Sequence, residues 1–395
     1  MLRAIKIRLK PTKEQETLFW KSAGTARWAY NYFLSENERV YNEYLANGKK
    51  GKRYLSESEV RKQINNVLKP TTHTWLKEVG SNVIKQAVKD ANQAFQRFFK
   101  GLSKRPRYKA KHRVTPSFYV NYETLRKTKN GFRGEKMGVV RTTIPLPTLK
   151  EGEFYSNPRI THDGTYWYLS VGYEVPTVST ELTTKSLGID LGIKELAVVS
   201  NGKVYKNINK EKRIRSLEKR LNREQRKVSR MLRNNTKEYD KNNKPIWIRP
   251  LRECKNIQKQ NAKIRKIYRK LTDIRENYLH QTTSEIVKTK PSRIVMEKLN
   301  VKGMMKNKHL AKAIAAQKFY EFIRQIKYKC EVRGIEFLQA DRFYPSSKTC
   351  SCCGHIKKDL KLKDRVYHCG HCGLTIDRDY NASINLANYQ LVSTH

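Results

Sequence analysis

A chain of 395 residues has room for two or three domains, and its 38% hydrophobic content is too high for wholesale disorder. Its 83 Lys and Arg against 36 Asp and Glu leave a net charge of +47, spread along the whole length, which needs a polyanion to offset self-repulsion. Nucleic acid fits that need, in an enzyme or in a ribosomal or chromatin-type binder, with a membrane-surface binder as the alternative. A membrane-embedded protein does not, because no run approaches the ~18 apolar residues of a spanning helix.

The opening stretch MLRAIKIRLKPTKEQE mixes charge throughout and lacks a signal-peptide core. Residues 2–9 alternate apolar and basic, as an edge strand does, and Thr12 and Gln15 have the spacing of a capping box. A helical pattern follows to about residue 100. It is clearest in SNVIKQAVKDANQAFQRFFKG, with Val83, Ala87, Ala91, Ala94, Phe95 and Phe98 on one side and Gly101 as C-cap. Residues 114–176 turn β-rich, with Asn130-Gly131 and Asp163-Gly164 as hairpin turns, and TVSTELTT (177–184) has linker composition. These strands and the N-terminal one read as a small β-barrel carrying the helical block as an insert.

KSLGIDLGIKELAVVSNGKVY then predicts two strands around a glycine turn. Residues 209–234 form a basic amphipathic helix with Ile214, Leu217, Leu221, Val228 and Met231 as its stripe, and a polar break at 234–250 leads to a helix over about 252–289. SRIVMEKLN is a short buried strand, AAQKFYEFIRQIKYKCEVRG a helix capped by Gly334, and IEFLQADRF a further strand.

Cys350, Cys353, Cys369 and Cys372 give two C-x2-C pairs separated by fifteen residues, each pair followed by glycine (Gly354, Gly373). That spacing brings four thiolates onto a structural Zn²⁺, and it favours a reducing, cytoplasmic setting over disulfides. Cys352 falls outside the x2 rule. His355, His368 and His371 are substitute ligands that the set does not need, and Cys254 and Cys330 sit in helical patterns as packing residues.

Asp190 lies inside the apolar strand LGIDLGI, Glu297 follows RIVM, and Asp379 begins a helical run. Singly, such acids are often solvent-facing alternation residues or helix N-caps. Together, buried carboxylates repel one another unless a divalent cation joins them, and oxygen ligands select Mg²⁺ or Mn²⁺. Two such ions ~3.5–4 Å apart would clamp the attacking and leaving oxygens of a phosphodiester.

GIDLGIKELAVVS, IVMEKLN and DRDYNASINLANY resemble the three motifs of a RuvC/RNase H-like nuclease. With PSSKTCSCCG and HCG, the chain resembles the TnpB family encoded by insertion sequences, compact relatives of type V CRISPR effectors. The resemblance implies a multidomain α+β protein. Its parts would be a wedge-like β-barrel (1–10 and 113–182), a helical recognition insert (11–112), a split RuvC-like domain (185–345 and 375–395) and a zinc-ribbon insert (346–374).

It also implies that Asp190, Glu297 and Asp379 form a catalytic triad holding Mg²⁺ or Mn²⁺, with Asp377 as the alternative to Asp379. The implied partners are a guide RNA from the element's end and target double-stranded DNA. A short duplex motif beside the target would be read by residues including Lys85, Lys89 and Asn121. Ile376 departs from the family's usual His, and KNIQKQNAKI is sparser in charge than the family's basic run. A transposase, a nuclease-inactive guided repressor and a CRISPR-associated effector are the rival readings.

Overall fold

A computed structural model describes residues 2–111, 113–175, 181–361 and 364–390. The chain divides into two compact units, residues 1–175 and 176–395. Part of the expected linker, residues 177–180, lies outside the described residues. No helix among the described residues is long and apolar enough to cross a membrane.

The first unit contains β1 (Leu2–Lys10), α1 (Lys13–Ala46), α2 (Glu57–Lys62) and α3 (Ser81–Phe99). Six strands follow: β2 (Ser117–Tyr119), β3 (Arg126–Thr128), β4 (Gly131–Gly134), β5 (Gly138–Thr142), β6 (Ser156–His162) and β7 (Trp167–Glu174). The expected capping box opens α1: Thr12 Oγ1 accepts from Gln15 N–H, and Gln15 Oε1 accepts from Thr12 N–H. On one half of α1, Phe19 packs against Phe118 and Trp167 of the sheet. The other half, with Phe33 and Leu34, packs against Ile84, Val88 and Phe95 of α3 in a separate core.

The strands run antiparallel in the order β2-β6-β7-β1-β5-β4-β3. Two expectations change here. First, β1 is central rather than an edge, flanked by β7 and β5, because Ile7 and Leu9 must be covered on the inner face. Second, the barrel does not close by hydrogen bonding among the described residues, since β2 and β3 stay unpaired with each other. They are three residues long, and the turn between them (120–125) spends its groups locally, with Leu125 N–H donating to Asn121 O at 3.1 Å. Along the chain, residues 120–125 link the two sheet edges. One core still takes residues from β1, β2, β4, β5, β6 and β7.

The hairpin expected at Asn130-Gly131 is displaced by one residue, because Thr128 pairs with Gly131. Gly131 belongs to the strand, and glycine is required there because a Cβ would lie 2.0 Å from Val140 O.

The second unit is built on β8 (Ser186–Leu191), β9 (Glu195–Val199), β10 (Val204–Lys206), β13 (Arg293–Glu297) and β14 (Glu336–Ala340). Between β10 and β13 come α4 (Lys212–Asn234), the small hairpin β11 (Thr236–Tyr239) and β12 (Pro245–Trp247), and α5 (Lys255–Lys288). The remaining elements are α6 (Val301–Met304), α7 (Ala311–Gln317), α8 (Phe319–Arg333), the hairpin β15 (Val366–His368) and β16 (Thr375–Asp377), and α9 (Arg378–Ala387). The large sheet has the order β10-β9-β8-β13-β14, with β8, β13 and β14 parallel.

The expected single helix over AAQKFYEFIRQIKYKCEVRG is broken at Lys318, which is left-handed (φ 54°) and separates α7 from α8; Gly334 caps α8 as expected. In α4, Ile214, Leu221 and Val228 are buried as the stripe requires. Glu224 is buried with them and accepts a hydrogen bond from Gln260 of α5.

Candidate active site and cysteine cluster

The last registered pair between β8 and β13 is Ile189 with Met296. The next residues, Asp190 and Glu297, therefore stand side by side at the carboxyl ends of adjacent parallel strands, where open α/β sheets present their ligand sites. Helix α9 lies directly against β8. A Cβ at Gly188 would meet Ser383 O at 1.9 Å and Ala387 N at 2.4 Å, so only glycine lets the helix dock, and Ser186 Oγ donates to Ala387 O at 2.7 Å.

Asp377 is the N-cap of α9, its Oδ1 accepting from Asp379 N–H at 2.9 Å and Tyr380 N–H at 3.0 Å. Its carboxylate is thereby committed to the backbone, as N-cap acids are. Asp379 instead accepts from Arg378 Nε at 3.1 Å and Nη2 at 2.8 Å, with Arg365 Nη1 at 3.7 Å.

Protein atoms crowd the Asp190 carboxyl. That burial, followed by the charges of Glu297 and then Asp379, pushes it up to about 8, while Arg378 acts in the opposite direction. The structure thus brings all three acids within electrostatic reach. Glu297 Oε1 accepts from Ser346 Oγ. The carboxylate oxygens do not converge as tightly as the thiolates described next, which among the described residues form the one cluster of three or more His, Cys, Asp or Glu groups within 4.8 Å of one another. Asp379 is held by Arg378 instead.

Cys350 Sγ is 3.6 Å from Cys372 Sγ, and Cys353 Sγ is 3.6 Å from Cys369 Sγ. Four sulfurs at ~2.3 Å from a tetrahedral Zn²⁺ would sit about 3.8 Å apart, so the set fits that ion. Both knuckles have the same backbone: Gly354 (φ 77°) donates its N–H to Cys350 O at 3.0 Å, and Gly373 (φ 75°) does so to Cys369 O at 3.0 Å. Glycine follows each pair because the left-handed turn requires it. Cys352 is outside the cluster, and so are the histidines. His355 and His371 stack on each other at 5.7 Å, and His368 Nδ1 bonds Thr375 Oγ1 at 2.9 Å.

The cluster is tied to the carboxylates in two ways. Strand β16 ends on Asp377, so the ribbon hairpin runs without a break into the cap of α9. The segment leading to Cys350 is pinned by two buried asparagines of α9. Asn385 Nδ2 donates to Ser346 O at 2.7 Å and Thr349 O at 2.6 Å, and Asn381 Nδ2 donates to Thr349 O at 2.7 Å. Ser346, Asn385 and Arg378 were not among the residues singled out in the sequence. The signal for Asn385 was a polar residue at a core-facing position of a short helix.

In the first unit, Lys85 and Lys89 are exposed on α3. Lys89 lines a cleft of about 520 Å³ with Gln86, Tyr119, Tyr122 and Arg159, where Arg159 pairs with Asp90 at 2.8 Å. Lys85 does not line it. Asn121 lies on the turn joining the sheet edges and lines a smaller neighbouring pocket with Val83 and Phe118.

Three family models match: a helix-turn-helix domain over residues 1–47, "Probable transposase" of the IS605 OrfB type over 170–308, and a Cas12f1-like TNB domain over 319–386. The first of these stretches folds here as one strand and the single long helix α1. A Streptomyces pristinaespiralis protein named "putative RNA-guided DNA endonuclease" is 30% identical over 393 residues, covering 97% of this chain and 88% of its own. InsQ of Escherichia coli K12, with the same description, is 27% identical over 415 residues, covering 98% and 91%. TnpB-like protein L770 of Acanthamoeba polyphaga mimivirus is 24% identical over 402 residues, covering 96% and 72%. In fold, the chain is similar to the protein in a cryo-EM structure of a Cas12f1-sgRNA-target DNA complex, with a TM-score of 0.54 at 14% identity over 98% of this chain and 99% of that one. Identity of this kind sustained from end to end has one explanation: the chain belongs to the TnpB (IS605 OrfB) family.

Proposed function

We propose that this chain is an RNA-guided DNA endonuclease of a mobile element. The guide is an RNA from the element's end, and Asp190, Glu297 and Asp379 form the hydrolytic centre. One observation carries the reading. A chain of net charge +47 crowds an acid, Asp190, against protein atoms and two further acids at the carboxyl edge of a parallel sheet. The names of its relatives point the same way.

The donor set is all oxygen, which fits Mg²⁺ or Mn²⁺. Bound there, such ions would activate water and stabilise the leaving oxygen of a phosphodiester. Asp190 and Glu297 would hold them from the rigid strand ends, and Asp379 from the first turn of α9, after leaving Arg378. Asp377, the alternative to Asp379, would serve as the cap of the helix, since its Oδ1 accepts from two backbone N–H groups there. Zn²⁺ on Cys350, Cys353, Cys369 and Cys372 serves structure, with no ligand position left open.

The strands of residues 1–10 and 113–182 with the helical block 11–112 would bind the guide and the duplex beside the target. Lys89 at its cleft, with Lys85 and Asn121 nearby in sequence or turn, would contact bases or phosphates. Residues 185–345 and 375–395 would form the RuvC-like domain and 346–374 the ribbon. Guide pairing supplies sequence specificity, and the protein supplies backbone contacts and the chemistry.

The test is to express the gene with its native flanking DNA, sequence the co-purified RNA, and challenge the complex with guide-matched duplex. Cutting that needs both the RNA and Asp190 supports the reading, and a heterogeneous smear of host RNA with no guided cutting sinks it. The second reading, a transposase, is favoured by the description of the model over residues 170–308. It predicts joined strands rather than free ends in the same reaction.

A further inference from the structure

The loop after β14 begins and ends at Glu297: Ala340 pairs with Glu297 in register, and Ser346 Oγ bonds its carboxylate. Its flanks are held. Tyr389 Oη donates to Asp341 Oδ2 at 3.0 Å, Tyr344 Oη donates to Asn385 O at 3.2 Å, and the two tyrosine rings meet edge-on at 4.9 Å. Between these anchors Phe343 is 87% exposed, more than any other large hydrophobic residue among those described. The Arg342 guanidinium lies 5.5 Å from its ring centre. Two residues, Tyr344 and Pro345, separate Phe343 from Ser346, so the Cα atoms of Phe343 and Ser346 lie within roughly 11 Å of each other.

An aromatic so exposed to water adds nothing to the core. The carboxylates beside it repel phosphate, so a strand lying across them has to be held by something just outside the cluster. We infer that Phe343, with Arg342, is a stacking platform for an unpaired base of the single strand presented to Asp190, Glu297 and Asp379. The inference rests on the endonuclease reading for why a strand lies there. Bases stack on aromatic faces whatever the sequence, and an adjacent guanidinium adds cation–π and phosphate contacts. The +47 charge of the chain suits that polyanion and disfavours a second copy of the chain as occupant.

The experiment uses full-length Asp190→Ala protein with its co-purified RNA, which cannot cut, and a short single-stranded DNA carrying 2-aminopurine. Binding should quench the probe. Phe343→Ala should abolish the quench and weaken binding roughly 5- to 100-fold, with no change in melting temperature. Phe343→Tyr should keep both properties, and Phe343→Leu should behave like the alanine variant. Equal quenching by the alanine variant, or leucine as good as tyrosine, would overturn the platform. So would a dimer that Phe343→Ala dissociates while strand binding is unchanged. Because the readout needs no cleavage, failure of guided cutting with Asp190 intact counts separately, against the endonuclease reading itself.

Discussion

Ser346 Oγ donates to Glu297 Oε1, while the backbone carbonyl of the same serine accepts from Asn385. One residue, only 1% exposed, thus joins a strand-end carboxylate to the helix that carries Asp379 and to the segment that enters the cysteine cluster. Ser346→Ala removes the donor and leaves Glu297 free to turn. Cleavage should fall ~10- to 100-fold, because small misplacements of a reacting group cost that much, while guide RNA binding holds. Single-turnover cutting with an RNA-binding control decides it, and unchanged cutting would remove Ser346 from the site.

Burial, with Glu297 and Asp379 nearby, pushes the Asp190 carboxyl up from 3.8 to about 8. As pH rises through that window, the unfolded chain gives up a proton that the folded chain keeps, so the cation-free protein loses stability from about pH 4 to pH 8. Asp190→Asn removes this penalty. In chelator the variant should melt above the parent at pH 8, converge with it near pH 4, and cut nothing. A variant that melts lower at pH 8 would mean the acid is not repelled by its neighbours.

Zinc removal should be felt at α9. Since β16 delivers Asp377 to the helix start, chelation or Cys369→Ser should speed amide exchange at Asp379 and Tyr380, whose N–H groups the cap holds. The readout is exchange mass spectrometry on peptides covering residues 375–381, alongside zinc content. Exchange that stays slow in a zinc-free protein would confine the metal's role to the ribbon.

Two glycines make opposite predictions. Gly188→Ala puts a methyl 1.9 Å from Ser383 O and should cost ~3 kcal/mol or more, undocking α9 and abolishing cleavage. Gly24 in the middle of α1 has nothing within 4 Å of its added Cβ, so Gly24→Ala should stabilise by ~0.5–1 kcal/mol. Chemical denaturation of both variants measures the contrast.

Local signals carried well from sequence to structure. The thiolates converge because x2 spacing with a following glycine is a self-contained turn, and Thr12 with Gln15 caps α1 because the bond spans three residues. Elements defined by distant partners were not legible. Gly131 looked like a turn residue but answers to Val140 O across the sheet. Lys318 breaks a helix whose local composition is uniformly helical, and the β11–β12 hairpin lay in what read as a polar break. Asp190 and Glu297 were visible as acids in apolar strands, but Ser346, Arg378 and Asn385 act through bonds that no spacing encodes.

The central place of β1 governs how the protein is made. Its residues Leu2 to Arg8 pair with β7, which ends at Glu174, so β1, once synthesised, waits for nearly the last strand of its unit. At ~5–20 residues per second that delay is roughly 10–30 s. Throughout it, Ile5 and Ile7 lack their β7 partners and are open to other nascent chains. Lys6, Arg8 and Lys10 alternate with them and act as gatekeepers, so the charge that suits nucleic acid in the finished protein also keeps its unfinished form apart from its neighbours.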